Sequence, residues 1–349
     1  MDSNTTYDAL VTGATGFIGN HMVHTLLEAN KKVRVLVRQS PKCKVLEGLP
    51  VDIVYGTLED RETLIAAAQN VKVIYNCAGL SSDWAADDAF FAANIRGVEN
   101  VLAALEHSDA ERLIHISTSD VYGYPKSPVS EDYGPQNIGL PYNRSKAEGE
   151  EVIWRAVQER DVPVTVFRPA SVYGPRSMEW VVEISRLMLN KEMVLLDGGH
   201  SHAGLVYVRN LTEAMLRAAD IPAAAGQAYN IRDEGEHSWK DFVEGMGQCF
   251  KPQHWKCMKV PASLAFGFGY LMEKVYALLN IKSRPLLTRH AVHLLSRNQG
   301  FPIHKAKSEL GFESWVSFEA GMELTREWMR SEEGKTCIAP ETQKREAYL

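Results

Sequence analysis

Tyr142 and Lys146 stand four residues apart in the stretch PYNRSK. On a helix that spacing puts both on one face. A free phenol titrates at about pH 10 and is a poor proton carrier at neutrality. A neighbouring ammonium favours the phenolate, which would make the pair an acid/base device. The same spacing fits a buried aromatic followed by a solvated lysine, so the pair decides nothing alone. To act, it needs a second hydroxyl to orient a substrate oxygen, a redox partner and a cavity. The stretch ISTSDVYG offers hydroxyls at Ser117, Thr118 and Ser119; hydroxyls in such a place also serve as caps and turn formers.

The elements that must position these groups show a regular rhythm. Apolar runs at ALVTG (9–13), KVRVLVR (32–38), VDIVYG (51–56), VKVIYNCAG (71–79), RLIHIS (112–117) and VPVTVFRP (162–169) read as strands. Amphipathic stretches such as NHMVHTLLEAN, RETLIAAAQN, NIRGVENVLAALEH and SKAEGEEVIWRAVQER separate them. This alternation predicts an α/β fold with a parallel, doubly wound sheet. Strands apolar along their whole length suit a sheet covered by helices on both faces. After about residue 175 the rhythm loosens. The expected division is a core over 1–175 and a smaller, mainly substrate-binding lobe over 176–330. One strand and helix at about 203–219 are expected to return to the core, and 331–349 to form a flexible polar tail.

VTGATGFIG follows the first strand and opens the first helix. Gly13 permits a tight turn, Gly16 lets backbone approach a pyrophosphate, and Gly19 allows close helix–strand packing. The helix N-terminus then offers free N–H groups to an anion. A bound dinucleotide in a Rossmann-type fold follows from that context.

The G-x-x-G-x-x-G spacing resembles the opening of the extended short-chain dehydrogenase/reductases, the NAD-dependent epimerase/dehydratase family. The resemblance continues in order through VIYNCAG, NIRGVENVL, ISTSDVYG, PYNRSK and RPASVYGP. It implies that Tyr142 exchanges a proton with the substrate oxygen, that Lys146 also holds the nicotinamide ribose, that Thr118 orients the oxygen, and that Asn94 supports the constellation. It further implies a cofactor cradle of Gly13, Thr15, Gly16, Phe17, Ile18, Gly19, Arg38, Thr57, Leu58, Cys77, Ala78, Gly79, Ser117, Tyr142, Lys146, Pro169, Ser171 and Val172. An acidic residue closing the second strand would hold a ribose 2′-OH, whereas Arg38, followed by Lys42 and Lys44, suits a 2′-phosphate. NADP(H) is therefore expected in preference to NAD(H). Thr57 departs from the family pattern, which has aspartate there.

For the substrate, Ala203 stands where sugar-nucleotide enzymes of the family carry an arginine. Ser119–Asp120 supplies only half of the Asp–Glu pair used by dehydratases. GLVYVRNLTEAMLRAA, VPASLAFGFGYLMEKVYALL and HKAKSELGFESW resemble the 3β-hydroxysteroid and sterol dehydrogenase group. The expected activity is that of an alcohol dehydrogenase or carbonyl reductase on a hydrophobic, steroid-like or polyketide-like molecule. The alternatives are a nucleotide-sugar epimerase or dehydratase that retains NAD, and a dinucleotide sensor without turnover. Ser81, Trp84, Met178, Trp180 and His202 are the candidate substrate contacts. Residues 261–280 admit three readings: core helix, apolar wall over the substrate, or helix resting on a membrane surface.

Composition narrows the field further. The chain of 349 residues is 45% hydrophobic and 23% charged, with net charge −6. No cationic cluster supports nucleic-acid binding. Five cysteines without C-x-x-C spacing suit a reducing compartment, and no apolar run is long enough to span a bilayer. A cytoplasmic protein is expected. His200 and His202 lack a third ligand, so no metal is expected. By resemblance, the helices near 94–107 and 145–160 are expected to build a homodimer.

Overall fold

The computed structural model describes residues 5–250, 257–281 and 283–339. Eleven strands occur among them: β1 (Tyr7–Thr12), β2 (Val33–Val37), β3 (Val51–Tyr55), β4 (Val71–Asn76), β5 (Arg112–Ile116), β6 (Val164–Pro169), β7 (Ser171–Tyr173), β8 (Val194–Leu196), β9 (Leu205–Tyr207), β10 (Gln227–Ile231) and β11 (Met258–Val260). Seven make one sheet in the order β3-β2-β1-β4-β5-β6-β10. Every pairing in it is parallel. The chain direction of winding reverses between β1 and β4, and the crevice outside the carboxyl ends of strands at such a point is where ligands bind.

Helices cover both faces because both faces are apolar. On one, the helices Phe17–Glu28 and Val208–Ala219 bury Met22, Leu26, Leu211 and Met215 against Val11, Val35 and Phe167. On the other, Arg61–Ala68, Gly97–Glu106 and Pro141–Arg160 bury Leu64, Val101, Leu105 and Ile153 against Leu10, Ile74 and Leu113. A second core, with Val181, Met188, Leu195, Trp239, Phe242 and Met322, holds the carboxyl-terminal region together. Each such side chain contributes about 1.5–3 kcal/mol by leaving water.

The six strands read from the sequence are β1 to β6. β10 was not foreseen: QAYNI is short, and its polar residues break the apolar run. The returning strand at 203–219 needs correcting. β9 does not join the main sheet but pairs with β7 in a two-stranded ladder, because β10 already occupies the edge of β6. The following helix does pack on the core, as expected. The tail is also corrected in part. Glu332–Ile338 is helical, capped by the Ser331 side chain, which accepts from Gly334 N, and it buries Gly334 and Ile338; residues 340–349 lie outside the described residues. The stretch 261–280 is not a core helix. Ala262–Leu278 buries only Ala265 and Gly269.

The helix Pro141–Arg160 starts where Pro141 supplies a preset φ at its first turn. It ends at Asp161, whose φ of 53° is left-handed. Two features lock its position. A Cβ on Gly149 would lie 2.3 Å from the Asn94 carbonyl oxygen, so only glycine permits this crossing. One residue on, Glu150 pairs with Arg168 of β6, with Arg168 Nη2 to Glu150 Oε2 at 2.6 Å and side chains 2% and 0% exposed. Arg168 Nη1 also donates to Tyr122 Oη at 3.0 Å and to the Glu131 carbonyl at 3.1 Å. Trp154 Nε1 donates to Glu150 Oε2 at 3.0 Å.

Breaking such a pair leaves an uncompensated buried charge and costs about 3–5 kcal/mol. Arg168→Met is therefore expected to lower the denaturation midpoint sharply, and an Arg168→Met/Glu150→Leu double variant to recover part of the loss. Urea unfolding of the three proteins checks this; equal midpoints for wild type and the single variant would refute it.

Candidate active site

The first βα turn is built for close approach. Gly13 has φ +69°, and a Cβ there would sit 2.7 Å from Ala78 N. On Gly19 a Cβ would meet the Gly13 oxygen at 2.2 Å. Gly16 caps the helix Phe17–Glu28 with no side-chain hydrogen bond, and the first turn holds no acidic residue. Its N–H groups and dipole thus face outward beside the glycine turn. Across the crevice, Thr12 Oγ1 donates to Asn76 Oδ1 at 2.6 Å and accepts from Ala78 N at 3.3 Å, which fixes the Cys77–Gly79 segment after β4. On the adenosine side, Arg38 follows β2 directly and is exposed. Thr57 accepts from Glu59 N at 3.2 Å, and Leu58 is tied through its carbonyl to Asn100 Nδ2 at 2.8 Å.

Further along, Ser117 Oγ and Ser171 Oγ are buried with no hydrogen-bond partner among the described residues. Buried hydroxyls ordinarily find partners. Orphans directly after β5 and at the start of β7, together with a glycine turn that leaves no room for a Cβ at Gly13, fit a bound dinucleotide.

The proton-transfer groups converge from four segments. Thr118 lies two residues past β5 and caps the turn Ser119–Tyr122, accepting from Asp120 N at 3.2 Å. The cap leaves the Thr118 hydroxyl proton uncommitted, so the cap and the catalytic reading of this residue are compatible. Lys146 is buried and donates to the Ile116 carbonyl at 2.9 Å. Burial lowers its pKa to about 8, against the opposing charge of Glu150. For Tyr142 without a nicotinamide ring beside it, burial raises the pKa, and Asp120 and Glu179 raise it further. In the protein alone the phenol holds its proton.

Asn94 lies in a π-helical turn, Ala92–Arg96, inside the helix that follows the β4 loop. Such turns recur at functional sites. Its Oδ1 accepts from Leu80 N at 2.8 Å, and its Nδ2 donates to Leu80 O at 3.0 Å and Ser145 Oγ at 2.9 Å. Ser145 Oγ in turn donates to the Tyr142 carbonyl at 2.9 Å. Asn94 therefore joins the loop after β4 to the helix of Tyr142 and Lys146.

A model of the "NAD dependent epimerase/dehydratase family" matches residues 9–231. The chain belongs to that family. Among relatives, it is 29% identical over 322 residues to a 4-hydroxy-2-methyl-3-oxo-4-farnesyl-3,4-dihydroquinoline-1-oxide ketoreductase of Stigmatella aurantiaca, covering 91% of this chain and 95% of the other. It is 27% identical to 3beta-hydroxysteroid-dehydrogenase/decarboxylase isoform 1 of Arabidopsis thaliana, over 90% and 78% of the two chains. In fold it is similar to the UDP-glucuronic acid 4-epimerase of Bacillus cereus, with TM-score 0.72 and 22% identity over 93% and 99% of the chains.

Within this epimerase/dehydratase-family fold, the expected substrate contacts separate into two groups. Ser81 donates to Glu179 beside Tyr142, and Met178, 48% exposed, precedes Glu179 at the rim. Trp84 sets its ring edge-on to Tyr276 at 6.2 Å. Trp180, by contrast, packs against Trp239 at 4.9 Å and joins the carboxyl-terminal core. His202 pins its own loop, accepting from Gly204 N at 2.9 Å and bonding the Gly235 carbonyl at 3.2 Å. Neither is brought to Tyr142.

The site also contains residues the sequence did not reveal. His290 places its ring edge-on to Tyr142 at 5.6 Å. Its Nδ1 bonds Tyr124 Oη at 3.0 Å, and its Nε2 lies 3.5 Å from Asp120 Oδ2. Asp120 is buried, which raises its pKa, while His290 and Tyr124 counter the effect. Asp83 receives Arg284 Nη2 and Thr288 Oγ1, each at 2.6 Å. These residues come from segments distant in the chain, and TRHAVH carries no spacing that marks His290.

Two outcomes follow. Ser117→Ala and Ser171→Ala are expected to leave the thermal midpoint unchanged or raised, since each removes an unsatisfied hydroxyl, yet weaken dinucleotide binding about three- to tenfold; calorimetry and titration together check both halves. Lys146 has a folded pKa below its unfolded value, so the penalty for its buried charge is full below pH 8 and disappears as pH rises towards the unfolded value. Nucleotide-free Lys146→Met should therefore gain stability relative to wild type more at pH 7 than at pH 10, as read by urea midpoints.

Proposed function

We propose that this family member is an NADP(H)-preferring ketoreductase or alcohol dehydrogenase acting on a hydrophobic substrate with one reacting oxygen. The observation that carries the reading is that one helix carries Tyr142 and buried Lys146, with Lys146 donating to the Ile116 carbonyl at the end of β5 and the His290 ring set edge-on to Tyr142. When bound, the nicotinamide supplies or accepts the hydride. Tyr142 gives its proton to the substrate oxygen as a carbonyl becomes an alcohol, and Thr118 holds that oxygen in line. Lys146, anchored on the Ile116 carbonyl, reaches the ribose side and keeps positive charge near the phenol. Asp120 and Glu179 hold the proton on Tyr142 until the substrate arrives.

The name of the Stigmatella ketoreductase supports carbonyl reduction of an apolar molecule. Trp84, Tyr276 and Met178 offer apolar surface beside the site. Arg38, exposed at the end of β2 where a carboxylate would exclude a 2′-phosphate, supports NADP(H). Ala203 is fully buried in the carboxyl-terminal core, which gives a sugar diphosphate no cation at that position.

Asp120 favours a second reading. A buried carboxyl with a raised pKa beside His290 is a proton-transfer group of the kind a dehydratase uses. The two readings differ in cofactor handling. A net reductase releases its dinucleotide every cycle, whereas a dehydratase regenerates it in place.

Purified protein is expected to exchange dinucleotide freely and to bind NADPH more tightly than NADH, with Arg38→Glu reversing the preference. Tyr142→Phe should lower ketone reduction by about 10²–10⁴-fold while dinucleotide still binds. Retained NAD together with turnover of nucleotide sugars would replace this reading by the second. Full reductase turnover by Tyr142→Phe would remove the proposed mechanism.

A further inference from the structure

The helix Ala262–Leu278 leaves an apolar stripe in solvent. Leu264, Phe268, Leu271, Val275 and Leu278 follow one another at alternating steps of four and three residues, which places them along one side. Leu264 is 67% exposed, Phe268 54%, Leu271 60% and Leu278 85%. The opposite side is the anchored one. Ala265 and Gly269 are buried, Glu273 pairs with Arg289 at 2.6 Å, and Tyr276 meets Trp84. Isolated exposed leucines need no explanation, but a continuous row of them does.

Charge indicates what covers the stripe. In a chain of net charge −6, the segment 257–289 carries Lys259, Lys274, Lys282, Arg284 and Arg289 against one acid, Glu273. That acid is turned inward onto Arg289. Arg284 is engaged with Asp83, and Asp197 is engaged with Ala262 N at the helix start, so the exposed cations here are Lys274 on the helix and Lys259 on the preceding strand β11. The helices expected to dimerise look different. Their exposed positions include Glu99, Glu106, Glu151, Arg155, Glu159 and Arg160.

We infer that Ala262–Leu278 docks the protein on an anionic lipid surface, with the leucine and phenylalanine stripe in the acyl–headgroup boundary and the lysines among the headgroups. Its 17 residues span about 25 Å and lie along the surface. No helix among the described residues is long and apolar enough to cross a membrane. The anchored side of the same helix reaches Trp84 and Arg289, next to Thr288 and His290 of the site. Docking therefore brings the substrate end of the crevice to the lipid. The inference stands on exposure and charge and does not depend on which reaction the site performs.

The test is co-sedimentation of the full chain with vesicles of equal parts phosphatidylcholine and phosphatidylglycerol, and with phosphatidylcholine alone. Wild type is expected to pellet with the anionic vesicles, less with the neutral ones, and less again at high salt. Leu271→Asp and Leu278→Asp should each weaken partitioning about tenfold or more while leaving the thermal midpoint unchanged. A Lys259→Glu/Lys274→Glu variant, which spares the apolar stripe, should lose the preference for anionic lipid. Wild type remaining in the supernatant with anionic vesicles would overturn the inference, as would aspartate variants that bind like wild type. So would a dimer in solution that the aspartate variants dissociate, since a second copy would then be the occupant.

Discussion

The site depends on one buried ion pair, Glu150 with Arg168. Taking two charges out of water costs more than their attraction returns unless every remaining donor and acceptor is satisfied. Here Arg168 serves Glu150, Tyr122 and the Glu131 carbonyl at once, and Glu150 also accepts from Trp154. The segments so joined are the helix of Tyr142 and Lys146, strand β6, the turn after Thr118 and the stretch near Glu131. Gly149 adds the steric half, since the helix rests against the Asn94 carbonyl with no room for a Cβ. Neither the rotation nor the height of this helix is free. Lys146 is brought to the Ile116 carbonyl as a consequence of that packing.

The second constraint is electrostatic. The acidified phenol expected of Tyr142 draws on Lys146 and on the positive nicotinamide ring together. Lys146, however, is buried with its own pKa lowered and is committed to a backbone carbonyl. Asp120 and Glu179 face the phenol and raise its pKa. The protein alone stabilises the neutral phenol, the form needed to donate a proton. Turning Tyr142 into a base requires positive charge beyond what these side chains provide, which ties the direction of proton transfer to what is bound nearby.

The sequence carried the scaffold well because each part has a local physical signature. Apolar runs marked β1 to β6, and Gly13 and Gly19 marked the two positions of the first βα turn where a Cβ has no room. Tyr142, Lys146 and Thr118 were picked out by the ordered family motifs, since the spacing of Tyr142 and Lys146 decides nothing alone. What escaped depends on contacts between distant segments. β10 is recruited by the open edge of β6, and β9 is diverted to β7 for the same reason. Trp180 looked like a pocket aromatic, yet packing against Trp239 places it in the core. His202 looked like a substrate contact, yet it is consumed by the hydrogen bonds of its own loop. His290 had no signature, because only tertiary folding brings it beside Tyr142.

The carboxyl-terminal segment also explains how a polar site and an apolar helix coexist. Asp83 sits between them: it follows the β4 loop, binds Arg284 and Thr288, and is succeeded by Trp84, whose ring rests on Tyr276. The carboxylates, His290 and the Tyr142 phenol lie on the cofactor side of this knot, and the leucine stripe lies on the far side of the helix. Separating them costs little, because one salt-bridged aspartate satisfies the boundary. The same knot therefore ties the loop after β4 to the segment that carries His290, with Asp83 held by Arg284 and Thr288 and Trp84 resting on Tyr276.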